Sequence, residues 1–171
     1  MSYPDFVLGV DPGLQGAFAL YQTHTSAKHD AWVWDMPRAE KKGINPYEVA
    51  VIVDRILTLT HGHKLVGVVE NVNSRPRQAG AFNFGLSAGI VHGALAANGI
   101  QFDLITPMVW KGAMGLWRRP EETQDQNKDR ARALAAQLFP YLADQLKRKK
   151  DDGRAEALLL ASYYATRRLK C

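Results

Sequence analysis

The chain has 171 residues, a net charge of +5 and an estimated pI of 9.4. The length suits one domain with a substantial core over 1–171, and the basic balance favours a polyanionic partner. One cysteine, Cys171, excludes a disulfide framework and a Cys-based zinc site, which fits a reducing compartment; no apolar run approaches the roughly 20 residues that span a bilayer.

Phe6–Val10 reads as a short buried strand that delivers Asp11 and is stopped by Pro12-Gly13. The first eleven residues lack the charged and apolar regions of a signal peptide. Gly13 and Gly16 punctuate a turn, and Ala17–Tyr21 returns as a second strand. After a polar turn, Ala31–Asp35 forms a third, with Trp32 and Trp34 on one face. The spacing suits an antiparallel meander. Asn45 caps a helix that opens on Pro46 and runs to Leu59, with Val49, Ile52, Val53, Ile56 and Leu57 at helical spacing. Leu65–Val69 is a continuous apolar run of the parallel type and ends on Glu70.

Asn71–Gly80, with Arg75 and Arg77, reads as a loop. Ala81–Asn98 is a helix closed by Asn98-Gly99, and its Gly85, Gly89 and Gly93 share one face. Phe102–Ile105 is a fifth strand, and Thr106-Pro107 opens a short helix through Lys111. Trp117–Gln126 reads as a polar loop, Asn127–Leu138 as a helix, and Tyr141–Lys147 as a further turn or two after Pro140. The basic run Lys147–Lys150 precedes a last helix over Asp152–Arg168. A meander followed by strand–helix alternation implies an α/β fold, a mixed five-stranded sheet flanked by helices.

Acids stand at three places in this plan. Asp11 ends the first strand and Glu70 the fourth. If those strands are neighbours, both carboxylates project at one sheet edge. Asp152 and Glu156 are four apart and share a helix face, while Asp151 becomes the inward acid if that helix starts late. Each piece has an ordinary meaning: Asp-Pro-Gly makes turns, and acids favour a helix N-terminus. Together, on two apolar strands and the last helix of a basic chain, they point to one cluster. Four converging carboxylates call for hard divalent cations, Mg²⁺ by default. Two such ions about 4 Å apart suit phosphodiester hydrolysis.

With these residues in place, the chain resembles the RuvC family of Holliday junction resolvases, in the RNase H-like superfamily, and looks closest to the RuvC-like proteins of bacteria and their phages. The resemblance rests on Gly9-Val10-Asp11-Pro12-Gly13, Val69-Glu70-Asn71-Val72, the Phe84-Gly85 to Gly93 helix, Pro107-Met108-Val109-Trp110-Lys111 and Asp152-Gly153-Arg154-Ala155-Glu156-Ala157-Leu158-Leu159. It implies an RNase H-like fold and a homodimer that nicks two strands of a four-way DNA junction symmetrically. It implies two Mg²⁺ ions per site, with Mn²⁺ as a substitute, and a place in recombination and repair in the cytoplasm of a bacterial or phage-infected cell. Asp11, Glu70 and Glu156 match the family's acids, Asp152 is the fourth, and Lys111 matches its lysine near the scissile phosphate. Lys128 matches a second basic position, and Arg75, Arg77, Lys149 and Lys150 join Lys111 and Lys128 as DNA contacts. The Ala81–Asn98 helix matches the dimer interface. Asn73 stands where the bacterial enzyme carries a wedging aromatic; Phe82 is the candidate replacement. An actin-like ATPase also opens on a strand with an Asp-Gly turn, but this chain lacks the second domain and second phosphate turn.

Overall fold

The computed structural model describes residues 3–23, 31–40, 43–71 and 80–168. Strands β1 (Phe6–Asp11), β2 (Ala17–Gln22) and β3 (Ala31–Asp35) form the expected antiparallel meander. Strands β4 (Leu65–Glu70) and β5 (Phe102–Ile105) add in parallel on the other side of β1, giving the order β3-β2-β1-β4-β5. The central β1 is buried on both faces, as its unbroken apolar run requires.

Alternation along β1 divides the core in two. Phe6, Leu8 and Val10 face α1 (Pro46–Leu59) and α2 (Ala81–Ala97), where they join Val53, Ile56, Val91 and Leu95. Val7 turns to the other face, onto a layer built from α3 (Pro107–Ala113), α4 (Gln124–Leu138) and α5 (Asp152–Tyr163). Trp32 and Trp34 both pack on the α1–α2 side, as their spacing predicts.

Helix α5 lies unusually close to β1. A Cβ at Gly9 would press into the Ala157 carbonyl oxygen and the Ala161 Cβ, and one at Gly153 would collide with the Gln15 carbonyl oxygen. Both positions need glycine because backbone occupies the space. Arg154 pins the same helix to the end of β3 by donating to Asp35 Oδ1 at 2.5 Å and Oδ2 at 2.6 Å.

The helix starts follow local chemistry. Asn45 Oδ1 accepts from the Tyr47 and Glu48 amides at 3.1 and 3.4 Å, and Pro46 needs no hydrogen-bond donor at the first helical position. Helix α4 starts three residues before the predicted Asn127. Thr123 and Gln126 form a reciprocal capping box there, and the box fixes the start at Gln124. From Pro140 the chain makes a 3₁₀ segment through Leu146. The last helix gives way after Tyr163 to a wider π turn, Tyr164–Arg168. Among the described residues, no helix is long and apolar enough to cross a membrane.

Candidate active site

The parallel pairing of β1 and β4 aligns Val10 with Val69, so the next residue in each strand, Asp11 and Glu70, stands at the same sheet edge. Side-chain alternation then decides which way they face. Asp11 shares parity with Val7 and Gly9, and Glu70 with Val68, so both belong to the side covered by α5. Glu156 sits on α5 next to Ala157, the residue packed over Gly9. Oxygens of Asp11, Glu70 and Glu156 all lie within 4.8 Å of one another.

Each acid is held. Asp11 Oδ1 accepts from the Gly13 amide at 2.9 Å, across the Pro-Gly turn that ends β1. Glu70 is 6% exposed and accepts from the indole Nε1 of fully buried Trp110 at 2.9 Å. Glu156 Oε1 accepts from Lys111 Nζ at 2.8 Å, and the same ammonium lies 3.9 Å from Glu70 Oε1. Trp110 and Lys111 are adjacent on α3, so one short helix supplies both groups.

Among the described residues, one close ammonium stands against these three carboxylates. Burial pushes the Asp11 carboxyl up to about 6; the Glu156 charge adds to this, while the Gly13 amide and the Lys111 and Lys128 charges oppose it. Burial also pushes Glu70 up to about 8, helped by Asp11 and Glu156 and opposed by Lys111 and the Trp110 bond. Burial alone would lower Lys111, but Glu156 and Glu70 outweigh it and hold its pKa above the ordinary lysine value. An all-oxygen donor set with excess negative charge fits a hard divalent cation such as Mg²⁺ or Mn²⁺.

Asp152 shares the Glu156 face of α5, but its carboxylate is engaged elsewhere. Lys128 Nζ lies 3.0 Å from Asp152 Oδ2, and Arg132 donates to Oδ1. Arg132 also reaches Asp129 and the Lys149 carbonyl oxygen. Three of the four expected acids therefore meet, and the fourth waits on a basic pair one helix away. Asp151 is 1% exposed and accepts from the Arg148 backbone amide and guanidinium at 2.9 Å, so it closes the turn before α5. Neither Asp151 nor Asp152 belongs to the group of acids that meet within 4.8 Å.

Among the expected DNA contacts, Lys149 pairs with Asp125 at 2.6 Å. Lys150 lines a cleft with Gln15, Gly16, Asp35 and Arg38, beside the turn that follows Asp11. Arg75, Arg77 and Asn73 lie outside the described residues. Phe82, in the first turn of α2, is 81% exposed. Sequence reasoning missed Trp110 as the donor to Glu70 and Arg132 as the holder of Asp152. A signal existed for Arg132, which stands four residues after Lys128 on one face of α4.

No family model and no curated protein sequence matches this chain. Solved structures do. RuvC of Thermus thermophilus in complex with a Holliday junction substrate aligns with a TM-score of 0.60 and 18% identity, covering 94% of both chains. A second Thermus thermophilus RuvC structure aligns at 0.56 and 18% identity, covering 94% of this chain and 95% of that one. The chain thus has the RuvC-like, RNase H-like fold that its motifs imply: a mixed five-stranded sheet flanked by helices.

Proposed function

We propose that this chain, acting as one domain, is a divalent-metal-dependent, structure-selective endonuclease that resolves four-way DNA junctions by paired symmetric nicks. One observation carries the reading: Asp11, Glu70 and Glu156 converge within 4.8 Å at the carboxyl ends of two parallel strands, beside Lys111. Ligand sites of parallel sheets sit at that edge. The resemblance of the motifs and the fold shared with a junction-bound RuvC support DNA as the substrate.

Asp11, Glu70 and Glu156 would hold the ion, with Asp152 joining them when it leaves Arg132. When bound, a pair of Mg²⁺ or Mn²⁺ ions supplies an activated water and charge to offset the departing oxygen. Trp110 keeps Glu70 oriented. Lys111, which pairs with Glu156, would face the phosphate if a cation took over that carboxylate. Lys128, Lys149 and Lys150, with Arg75 and Arg77, hold the DNA backbone and carry no sequence information of their own.

Paired nicks need two sites, and α2 supports a homodimer. Phe82 and Leu86 are exposed on it, and Cβ atoms built on Gly85, Gly89 and Gly93 meet nothing within 4 Å. Two copies of such a face can approach closely. The protein would work in the cytoplasm of a bacterial or phage-infected cell.

A second reading, a nuclease of flaps or other branched DNA, is favoured by Asn73 at the expected wedge position. The test is Mg²⁺-dependent cleavage of a four-way junction, a flap and a linear duplex. Symmetric nicks in the junction alone support resolution. Cleavage of the flap supports the second reading. Cleavage of none, with junction binding intact, makes the chain a silent DNA-binding scaffold.

A further inference from the structure

The segment between α3 and α4 displays a tryptophan on a braced backbone. Trp117 is 56% exposed, while its neighbour Leu116 is buried. Arg130 donates to the carbonyl oxygens of Gly115 at 2.6 Å and Trp117 at 2.7 Å, and pairs with Glu122 at 3.0 Å. Asn127 Nδ2 donates to the Leu116 carbonyl oxygen at 3.1 Å, and Glu122 accepts from the Arg119 amide at 3.1 Å. These bonds anchor the turn at both ends, and the ring they carry is half exposed.

The brace also ties this ring to the acid site. The Trp117 indole packs against Gly112, where a Cβ would collide with its Nε1. Gly112 follows Lys111, whose ammonium sits on Glu156. Asn127 precedes Lys128, which pairs with Asp152. Arg118 and Arg119 follow Trp117 and are exposed. Among the described residues no carboxylate pairs with either guanidinium, whereas Lys111, Lys128, Arg130, Arg132 and Lys149 around them all have acidic partners.

We propose that Trp117, Arg118 and Arg119 form a nucleic-acid contact in which the indole stacks on an unpaired base of the strand entering the acid site and the guanidiniums take flanking phosphates. The inference rests on the nuclease reading for the identity of that strand. An aromatic face accepts any base, and adjacent uncommitted cations suit a phosphate backbone better than an apolar protein surface. At a branch point base stacking is interrupted, so a base there is unpaired and splayed out at less cost than in a continuous duplex.

The test uses the full chain in EDTA with a four-way junction and a linear duplex, each carrying 2-aminopurine, at the branch point in the junction. Trp117→Ala should weaken junction binding about tenfold and abolish the quenching of the probe, with duplex affinity unchanged. Trp117→Phe should restore most of both. Arg118→Ala and Arg119→Ala should each reduce the salt dependence of binding to every DNA. Equal junction affinity and equal quenching for wild type and Trp117→Ala would overturn the proposal. So would a change of oligomeric state in Trp117→Ala with DNA affinity intact, which makes the ring a protein contact. Cleavage is assayed separately with Mg²⁺. Trp117-dependent quenching in a protein that never cuts DNA sustains this inference and removes the nuclease reading.

Discussion

Two groups of acids lie where β1, β4 and α5 come together, and their charge balance is opposite. Asp151 and Asp152, at the start of α5, are fully matched: Arg148 holds the first, and Lys128 with Arg132 holds the second. Among the described residues, Asp11, Glu70 and Glu156 share a single close cation, Lys111. In the first group every carboxylate has a basic partner in the metal-free chain. In the second, burial pushes Asp11 to about 6 and Glu70 to about 8, and the neighbouring carboxylates add to the rise. Buried carboxylates without partners are costly, and groups perturbed in this way concentrate at functional sites. The contrast teaches that unmatched charge, more than the presence of acids, marks the place for a cation.

Removing one unmatched charge tests the contrast most strongly. Asp11→Asn and Glu70→Gln should each lower Mg²⁺-dependent cleavage at least about a thousandfold while junction affinity in EDTA is retained. The same variants should melt higher than wild type without metal at pH 8, because the repulsion is relieved. Wild-type cleavage rates in either variant would remove that residue from the site.

Gly9→Ala attacks the spacing instead of the charge. Pushing α5 off β1 should cost more than about 2 kcal/mol in urea denaturation and carry Glu156 away from Asp11, with loss of metal affinity. Unchanged stability would mean that the close approach of α5 is dispensable.

The pH response of the metal-free protein follows from the two raised carboxyls. Both bind protons more tightly folded than unfolded, so their contribution favours the fold at low pH. It is lost as pH rises from the ordinary carboxyl range, near 4, through about 6 for Asp11 and about 8 for Glu70. Between pH 5 and 8.5 in EDTA, stability should fall by a few kcal/mol on the order-of-magnitude scale of such shifts. Saturating Mg²⁺ should flatten the slope. A metal-free slope of the opposite sign would break the account of the cluster.

The matched group should give the smallest effect. Arg148→Ala leaves Asp151 buried without its guanidinium but keeps the backbone donor at 2.9 Å. Denaturation should show a loss of about 1–2 kcal/mol, discounted because Arg148 is half exposed. Cleavage at temperatures where the variant is folded should match wild type.

Much of this was legible in the residues. Apolar runs ending at Asp11 and Glu70 marked two central strands, and alternation within each strand turned both acids toward one face. The β2 and β3 runs and the Asn45-Pro46 helix start follow from side-chain pattern and capping alone. The first turn of α4 was missed because the Thr123–Gln126 box lies in a polar stretch that reads as loop. The fate of Asp152 was not legible either. Its spacing to Glu156 places it on the right face, but Arg132 reaches it from a separate helix, 20 residues away in sequence. The Trp110 bond to Glu70 is equally non-local, spanning 40 residues. Pairings of that kind depend on how helices dock, which periodicity does not encode.

The most direct measurement is calorimetric titration of Mn²⁺ into the metal-free protein at pH 7.5, repeated for Glu70→Gln and for Asp151→Asn. The account expects binding to wild type and to Asp151→Asn with similar affinity, and its loss in Glu70→Gln. Equal binding to wild type and Glu70→Gln would contradict it, because the ion would then sit away from the ends of β1 and β4.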